Sequence, residues 1–217
     1  MKRGGRPSRS DALKLGDRIL DVATEQFLRE GYGSTSIESV ASRAGISKRT
    51  FYHRFDGKAD LFAAVVHRII EQIRPPPNVP LIEGATLREV LRRLAGFILQ
   101  AALSPQALAL HRLVTAEAAR FPELARAVNG EGSTEEATTM IAGLLYREFG
   151  DSGMPAAARA GAAQQFLDMV IATPQRRALG LGSPMTATEL DGWADDAVRL
   201  FLNGCRGWSS EEAGSAR

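Results

Sequence analysis

The sequence predicts an all-α protein of about nine helices, because apolar residues recur at helical spacing along most of the chain and strand-like alternation is absent. The composition supports a folded chain, since 44% of its 217 residues are apolar and 24% are charged, values close to the average for globular proteins. Glycine or proline stands at most junctions between the periodic stretches, which favours short loops. Collagen-like, coiled-coil and disordered chains are therefore excluded.

Four predicted helices occupy the first third of the chain, at residues 11–30, 37–44, 47–55 and 58–74. The hydroxyl group of Thr35 or Ser36 can cap the second helix, and that of Ser47 can cap the third. Gly31 and Gly45 follow the first two helices, where a residue without a side chain is favoured. Only short turns are left between the four helices.

The run PPPNVP at residues 75–80 cannot continue a helix, because consecutive prolines lack N–H donors and clash with the preceding turn. We place a domain boundary there. Helical periodicity then returns in six stretches, at residues 86–103, 105–120, 122–129, 133–149, 155–172 and 187–204. The segment GDSG at 150–153 is similar to the nucleophile segment of serine proteases, but its place between a helix and Pro155 predicts a turn.

Charge is distributed unevenly along the chain, although the net charge is only +2. Residues 1–74 hold 14 basic and 9 acidic side chains, a net of +5, whereas 13 basic and 16 acidic side chains leave residues 75–217 at −3. A basic N-terminal third indicates that one end of the chain meets a polyanion. An uneven surface charge without such a partner is the alternative.

The single cysteine, Cys205, excludes an internal disulfide framework and a cluster of thiolate metal ligands. No apolar run of signal-peptide length opens the sequence, and the best later run, at residues 94–103, is far shorter than the ~20 residues that a bilayer requires. We therefore expect a cytoplasmic protein that does not enter a membrane.

Residues 37–55, IESVASRAGISKRTFYHRF, carry the most informative pattern in the chain. Two short helices that meet at a glycine fit a helix-turn-helix, in which Ala41 permits close packing and Gly45 permits a positive φ. Three apolar side chains then face inward, those of Val40, Ile46 and Phe51. The outward side of the second helix holds cations, hydroxyls and rings, at Ser47, Lys48, Arg49, Thr50, Tyr52, His53 and Arg54.

These residue types suit a recognition helix in the major groove of DNA. Cations bind phosphates and guanine edges, hydroxyls bind phosphates or bases, and an aromatic ring packs against the DNA backbone. A solvated basic face on a small α-hairpin is the alternative interpretation.

The leading helix that ends FLREGY, followed by STSIESVASRAGISKRTFYHRFDGKADLF, resembles the N-terminal DNA-binding domain of TetR (tetracycline repressor) family transcriptional regulators. The resemblance covers about residues 15–66. The segment LHRLVTAEAARFPELARAV at 110–128 is similar to the C-terminal domain of the AefR-like repressors of that family. Arg49 departs from the many members that carry glycine there, so the operator sequence of another member is not carried over.

The resemblance implies a set of DNA contacts in the helix-turn-helix and beside it. The residues concerned are Thr35, Ser36, Arg43, Ser47, Lys48, Arg49, Thr50, Tyr52, His53 and Lys58. Plain capping by Thr35 and Ser36, and a solvated position at a helix start for Lys58, are the alternatives. The basic residues of the first ten positions are expected to lie along phosphates or to enter a minor groove.

One short recognition helix contacts too few base pairs for specificity, so such modules act as symmetric dimers on half-sites about 34–36 Å apart or a multiple of that distance. The resemblance implies that the last two long helices of each subunit form a four-helix bundle with those of a second copy. Five residues along one side of the last helix are the predicted interface, Leu190, Trp193, Ala197, Leu200 and Phe201. Intrachain core is the alternative for this row.

The resemblance also implies a pocket in the C-terminal domain for a small apolar or amphipathic effector. Its predicted lining comprises Phe97, His111, Leu113, Phe121, Met140, Leu144, Phe166 and Met169. His111 is the predicted polar anchor. A stripe of methionine and aromatic residues at helical spacing is more often plain core, which is the alternative.

The complete expectation is a repressor that binds a palindromic operator as a homodimer and is released by its effector. Its predicted parts are a flexible basic arm (1–10), a three-helix DNA-binding domain (11–57), a connecting helix (58–74), an effector-binding and dimerisation domain (75–209) and a disordered tail (210–217). A DNA-binding regulator that activates, or that a protein controls, is the alternative. We expect no catalysis, cofactor or metal, since the three histidines lack metal-ligand spacing and the glycines at 179–184 follow no strand.

Overall fold

The computed structural model describes the backbone of residues 9–74, 86–130 and 132–214, and the side chains of residues 13–74, 86–130, 132 and 134–205. The first eight residues of the predicted arm, the PPPNVP boundary and the last three residues of the predicted tail lie outside the described residues. Within the described ranges the chain forms ten α-helices and no strand, which confirms the predicted all-α class.

The helices follow one another through short turns. Their bounds are α1 (Arg9–Glu30), α2 (Ile37–Arg43), α3 (Lys48–Tyr52), α4 (Lys58–Ile73), α5 (Leu87–Ala102), α6 (Pro105–Glu117), α7 (Pro122–Gly130), α8 (Ser133–Gly153), α9 (Ala156–Ala178) and α10 (Ala187–Gly214). Helix α10 continues to Gly214, so it replaces part of the predicted tail. Among the described residues no single helix is long and apolar enough to cross a membrane, although α5 and α6 pass the same test together as a pair bent by 65°.

The chain divides into two compact units. The N-terminal unit comprises Met1–Gln72 and Ala109–Glu131, and the C-terminal unit comprises Ile73–Leu108 and Gly132–Arg217. Helix α7 and most of α6 therefore belong to the same unit as the helix-turn-helix. The sequence analysis predicted one boundary, at residues 75–80. It did not predict that residues 109–131 would pack with the N-terminal unit.

The core of the N-terminal unit is built around three aromatic rings. Phe27, Tyr32 and Phe62 are buried, and their ring centroids lie 5.4–5.5 Å apart. Helix α4 supplies two adjacent apolar rows to this core, because residues three or four apart share a helix face. Those rows are Leu61, Phe62, Val65, Val66, Ile69 and Ile70, all of them buried. Full burial of one such side chain contributes about 1.5–3 kcal/mol to stability.

The core of the C-terminal unit lies among α5, α8, α9 and α10. Phe166 of α9 and Phe201 of α10 contact each other with ring centroids 4.9 Å apart. Leu91, Ile141 and Leu145 are fully buried beside them. Four helices that each bury one apolar face are sufficient to close this core.

The turn predicted at GDSG is confirmed by a break in α8. Gly150 has φ +64°, in the left-handed region that favours glycine, and the backbone is not helical there. The guanidinium of Arg159 donates to the carbonyl of Gly150 at 3.3 Å and to that of Met154, and it pairs with Asp151 at 2.8 Å. Gly150 O already accepts the backbone N–H of Met154 at 3.2 Å, and Arg159 adds a second donor at the break.

Helix α9 runs through Pro174, where the sequence predicted an end at residue 172. A proline inside a helix removes the N–H that would bond to the carbonyl four residues earlier, here that of Val170. The indole N–H of Trp193 donates to that carbonyl at 3.1 Å and to Met169 O at 3.2 Å. A side chain of α10 therefore supplies the missing donor, which lets the helix continue.

Candidate nucleic-acid interface

Helix α2 begins at a reciprocal cap. The backbone N–H of Ser39 donates to Ser36 Oγ at 3.1 Å, and the backbone N–H of Ser36 donates to Ser39 Oγ. The buried side chain of Gln26 in α1 exchanges hydrogen bonds with the Ser39 hydroxyl at 3.2 and 3.3 Å. The cap satisfies free helix-end donors and also ties α2 to α1.

The turn between α2 and α3 depends on Gly45, whose φ is +64°. The backbone N–H of Ile46 donates to Ala41 O at 2.9 Å, and that of Gly45 donates to Ser42 O at 3.1 Å. This pattern closes the C-terminus of α2 and sends the chain directly into α3. The predicted role of the glycine in the helix-turn-helix is confirmed.

Helix α3 is short, and one fully buried ring holds it in place. Ser47 caps the helix, since its Oγ accepts the backbone N–H of Thr50 at 3.1 Å and lies 2.9 Å from Thr50 Oγ1. Phe51 has no exposed surface, and its ring centroid lies 5.5 Å from that of Phe55. Because Phe51 points inward, the other side of α3 faces solvent.

The solvent side of α3 carries most of the predicted contact residues. Ser47, Lys48, Arg49, Tyr52 and His53 are exposed, and Thr50 is half-buried. The Tyr52 side chain is 55% exposed, an unusual position for a large ring in a folded unit. Ser36 and Arg43 of the preceding helix are also exposed, and Arg43 pairs with Glu30 at 3.1 Å.

An ion pair links α2 with α3 on this surface. The Lys48 ammonium is bonded to Glu38 Oε1, and both side chains are 58% exposed. The hydrogen bond from Lys48 lowers the pKa of the Glu38 carboxyl, and the same bond raises the pKa of the Lys48 ammonium. Lys48 is therefore a charged residue of this surface that already has an anionic partner, Glu38.

Thr35 does not reach this surface, which corrects the prediction that it contacts DNA. Its side chain is 1% exposed, and its hydroxyl donates to the Gly31 carbonyl at 2.8 Å. The hydroxyl thereby closes the turn after α1. The structure leaves it no surface to offer to a phosphate.

Lys58 is also turned inward, which corrects its assignment to the DNA backbone. Its Nζ donates to Tyr32 O at 2.9 Å and to Thr35 O at 3.1 Å, and it lies 4.3 Å from the centre of the Tyr32 ring. Burial lowers the pKa of the Lys58 ammonium, while Glu117 and Glu123 act in the opposite direction. The lysine that begins α4 thus binds the turn after α1.

Glu117 at the end of α6 is a structural residue that the sequence analysis missed. Its two carboxylate oxygens accept the backbone N–H groups of Tyr32 at 2.9 Å and Gly33 at 2.7 Å. The Tyr32 hydroxyl donates to Glu123 at 3.0 Å, and burial raises the pKa of that phenol. No sequence pattern marks such pairs, because more than 80 residues separate the partners.

The predicted effector residues are divided between the two units. Leu113 and Phe121 pack in the core of the N-terminal unit, and His111, the predicted polar anchor, is exposed. Leu144 and Phe166 are buried in the core of the C-terminal unit, where Met169 packs against it. Met140 is exposed and Phe97 is half-buried. The eight side chains are therefore divided between the two units, and their common pocket stays a prediction.

The C-terminal unit contains a cleft of about 300 Å³ between α5 and α10. None of the predicted effector residues lines this cleft. Its walls are formed by Arg92, Gly96, Leu99, Gln100, Leu103, Ala187, Leu190, Asp191 and Ala194. The guanidinium of Arg92 bonds to Asp195 at 2.5 Å and to Asp191 at 3.1 Å, so its charge is already compensated.

The five predicted interface residues of α10 do not share an outward side. Ala197 and Phe201 are buried in the core of their own protomer, and Leu190 packs against that core. Trp193 is held by its hydrogen bonds to α9. Leu190 and Trp193 are half-buried, and Leu200 is 61% exposed. The five residues were predicted to form one interface because helical spacing alone does not distinguish a side that packs in the core of the same chain from a side that is exposed.

A capped helix-turn-helix with a basic, aromatic outer side defines the class of DNA-binding proteins that read duplex DNA with one helix. Residues 19–65 match the family model described as bacterial regulatory proteins, tetR family. Residues 89–204 match the model of the AefR-like transcriptional repressor, C-terminal domain. The chain therefore belongs to the TetR family of transcriptional regulators, as the resemblance implied.

Two curated relatives are similar to part of the chain. The HTH-type transcriptional activator FasR of Mycolicibacterium smegmatis is 32% identical over 72 residues, 33% of this chain and 32% of that protein. The HTH-type transcriptional regulator AcrR of Shigella flexneri is 35% identical over 60 residues, 28% of each chain. The chain thus spans about a third of the length of these relatives.

Two solved structures are similar over most of the chain. A TetR-family transcriptional regulator from Mesorhizobium loti MAFF303099 is 29% identical with a TM-score of 0.68, over 91% of this chain and 98% of that chain. The flavonoid-responsive regulator FrrA is 26% identical with a TM-score of 0.73, over 88% of this chain and 96% of that chain.

Proposed function

We propose that this protein is a transcriptional repressor that binds a palindromic operator as a homodimer in the cytoplasm and leaves it when a small apolar or amphipathic effector binds. One observation carries the DNA-binding part of the proposal. Phe51 is fully buried, while Lys48, Arg49 and Tyr52 of the same short helix and His53 at its C-cap are exposed. This division gives α3 a fixed orientation and an exposed basic side, as a helix in the major groove requires.

The operator can be identified by selecting duplexes from a random library with the full-length protein. We expect an inverted repeat whose half-sites lie about 34–36 Å apart or a multiple of that distance. Arg49→Ala or Thr50→Ala should change which half-site is preferred, at about 1–3 kcal/mol for each lost base contact. Arg147→Ala, which removes an exposed cation from the C-terminal unit, is the control and should leave the preference unchanged. Binding without any sequence preference would contradict the proposal.

Dimerisation through the last two helices is the second part of the proposal. Gly192, Asp196, Leu200 and Gly204 of α10 are exposed and four residues apart, so they form one outer row. Among the described residues, Cβ atoms added at Gly192 and Gly204 would meet nothing within 4 Å beyond their chain neighbours and the backbone of α10 itself. The row therefore leaves room for the close approach of a second helix.

Leu200→Glu should convert the dimer to a monomer, because a carboxylate buried between two copies without a partner is strongly unfavourable. Sedimentation equilibrium measures the change directly. Leu13→Glu, which alters an exposed leucine of α1, serves as the control and should remain dimeric. If the Leu200 variant keeps its mass, the interface lies elsewhere.

Release by an effector rests on the family and on the name of FrrA, which describes a flavonoid-responsive regulator. A regulator without such gating is the second candidate, favoured by the close packing of Leu144 and Phe166 in the core. FasR, named an activator, shows that activation also occurs among the relatives. An effector should raise the melting temperature and weaken operator binding together. Compounds that stabilise the protein without changing its operator affinity would favour the ungated regulator.

A further inference from the structure

The ion pair between Glu38 and Lys48 lies on the surface that the proposed function assigns to DNA. Glu38 stands in the first turn of α2, and Lys48 is the first residue of α3. Exposed pairs of this kind contribute little to stability, because water screens both charges. The first turn of α2 also favours a carboxylate, but that role requires no partner on α3.

Glu38 is the only acidic residue within residues 37–53, whereas Arg43, Lys48 and Arg49 are basic. A negative charge on a surface that meets a polyanion opposes binding to every duplex, whatever its sequence. Discrimination between partners can arise from such a repulsive element as well as from attractive contacts. The position of Glu38 fits this use of charge.

We propose that Glu38 is a positioning residue that raises the specificity of DNA binding by holding Lys48 away from phosphates on non-operator duplexes. An unpaired Lys48 would neutralise a phosphate on any sequence. The paired Lys48 must first leave the Glu38 carboxylate. Contact with a single phosphate then only exchanges one anionic partner for another, so it adds little to the affinity. In the operator, base contacts by the other residues of α3 hold Lys48 against its acceptor and offset the lost ion pair, whereas a non-operator duplex offers no such contacts. This inference rests on the proposed function.

Glu38→Gln tests the inference in the full-length protein, with the selected operator and a scrambled duplex of equal length. Fluorescence anisotropy over a range of salt concentrations gives both affinities. We expect the scrambled duplex to bind several-fold more tightly and its log–log salt slope to steepen by about 0.9, the value for one more phosphate contact. Operator affinity should change less, so the ratio of the two affinities should fall several-fold.

Glu25→Gln is the matched control. Glu25 is also exposed and also paired with an exposed cation, Arg29, at 2.8 Å, but it lies in α1. Its substitution removes the same charge from the same unit and should leave the affinity ratio and the salt slope nearly unchanged. Glu38→Asp keeps the charge and should preserve most of the wild-type ratio.

A double-mutant cycle separates an effect through Lys48 from simple repulsion. Simple repulsion weakens binding to both duplexes alike, so in a Lys48→Ala background Glu38→Gln should lose most of its effect on the affinity ratio and on the salt slope. If its full effect persists without Lys48, or if Glu38→Gln matches Glu25→Gln in the wild-type background, the inference is overturned. Absence of any operator preference in the wild type would instead overturn the proposed function, so the two failures are distinguishable.

Discussion

Truncation of Phe51 to alanine is expected to lower the free energy of unfolding of the N-terminal unit by about 3–5 kcal/mol, the usual cost of removing a large buried ring. Phe51 is fully buried, and its ring contacts Phe55 at 5.5 Å between centroids. The cavity would also free α3 to change its angle, so operator affinity should fall with stability. Urea unfolding followed by circular dichroism measures the first effect, and anisotropy measures the second.

Tyr52→Ala is the natural control, since the neighbouring ring is 55% exposed. Little apolar area is buried there, so the stability cost should stay below about 1 kcal/mol. Operator affinity should nevertheless decrease, because the exposed ring is a predicted contact. Equal loss of stability in both variants would show that Phe51 does not anchor α3.

The helix-turn-helix could be predicted from the sequence because its determinants are local. Ser36 and Ser47 cap helices within three residues of themselves, and Gly45 sets the turn that it occupies. The alternation between the buried Phe51 and its exposed neighbours follows from the helical period alone. Each of these features needs only a few consecutive residues to be recognised.

Lys58 was assigned wrongly because its partners are distant in sequence. Thr35 bonds to Gly31 O only four residues earlier, but its spacing does not show that the fold buries this turn. Lys58 bonds to carbonyls more than 20 residues earlier, and the same turn receives Glu117 from α6. A lysine at a helix start looks the same in a sequence whether it faces solvent or a carbonyl. The spacing of residues in a sequence does not show which backbone groups need a hydrogen-bond partner from a side chain.

The residues of the predicted pocket are divided between two units, and those of the predicted interface between core and surface, for a related reason. Leu113 and Leu144 each belong to an apolar row of a predicted helix, yet they lie in the cores of different units. In α10, Phe201 is buried while its neighbour Leu200 is exposed. Apolar periodicity identifies a helix face that is covered, but it does not identify what covers that face.

Glu117→Ala is expected to lower the free energy of unfolding by about 1–3 kcal/mol, because two backbone donors lose a charged acceptor. Those donors are the N–H groups of Tyr32 and Gly33, and water can replace the carboxylate only in part, since Tyr32 is buried. Amide hydrogen exchange of these two residues should accelerate more than that of other amides in the unit. The measurement locates the loss at the turn that joins α1 to α2.

Tyr32→Phe provides the comparison, because it removes only the hydroxyl that donates to Glu123 at 3.0 Å. A single hydrogen bond contributes about 0.5–1.5 kcal/mol, or somewhat more to a charged partner, and Glu123 can turn to solvent after the change. The loss of stability should therefore be smaller than in Glu117→Ala, with normal exchange at Gly33. The reverse order would mean that the bond to Glu123, and not the cap by Glu117, holds the turn against α6 and α7.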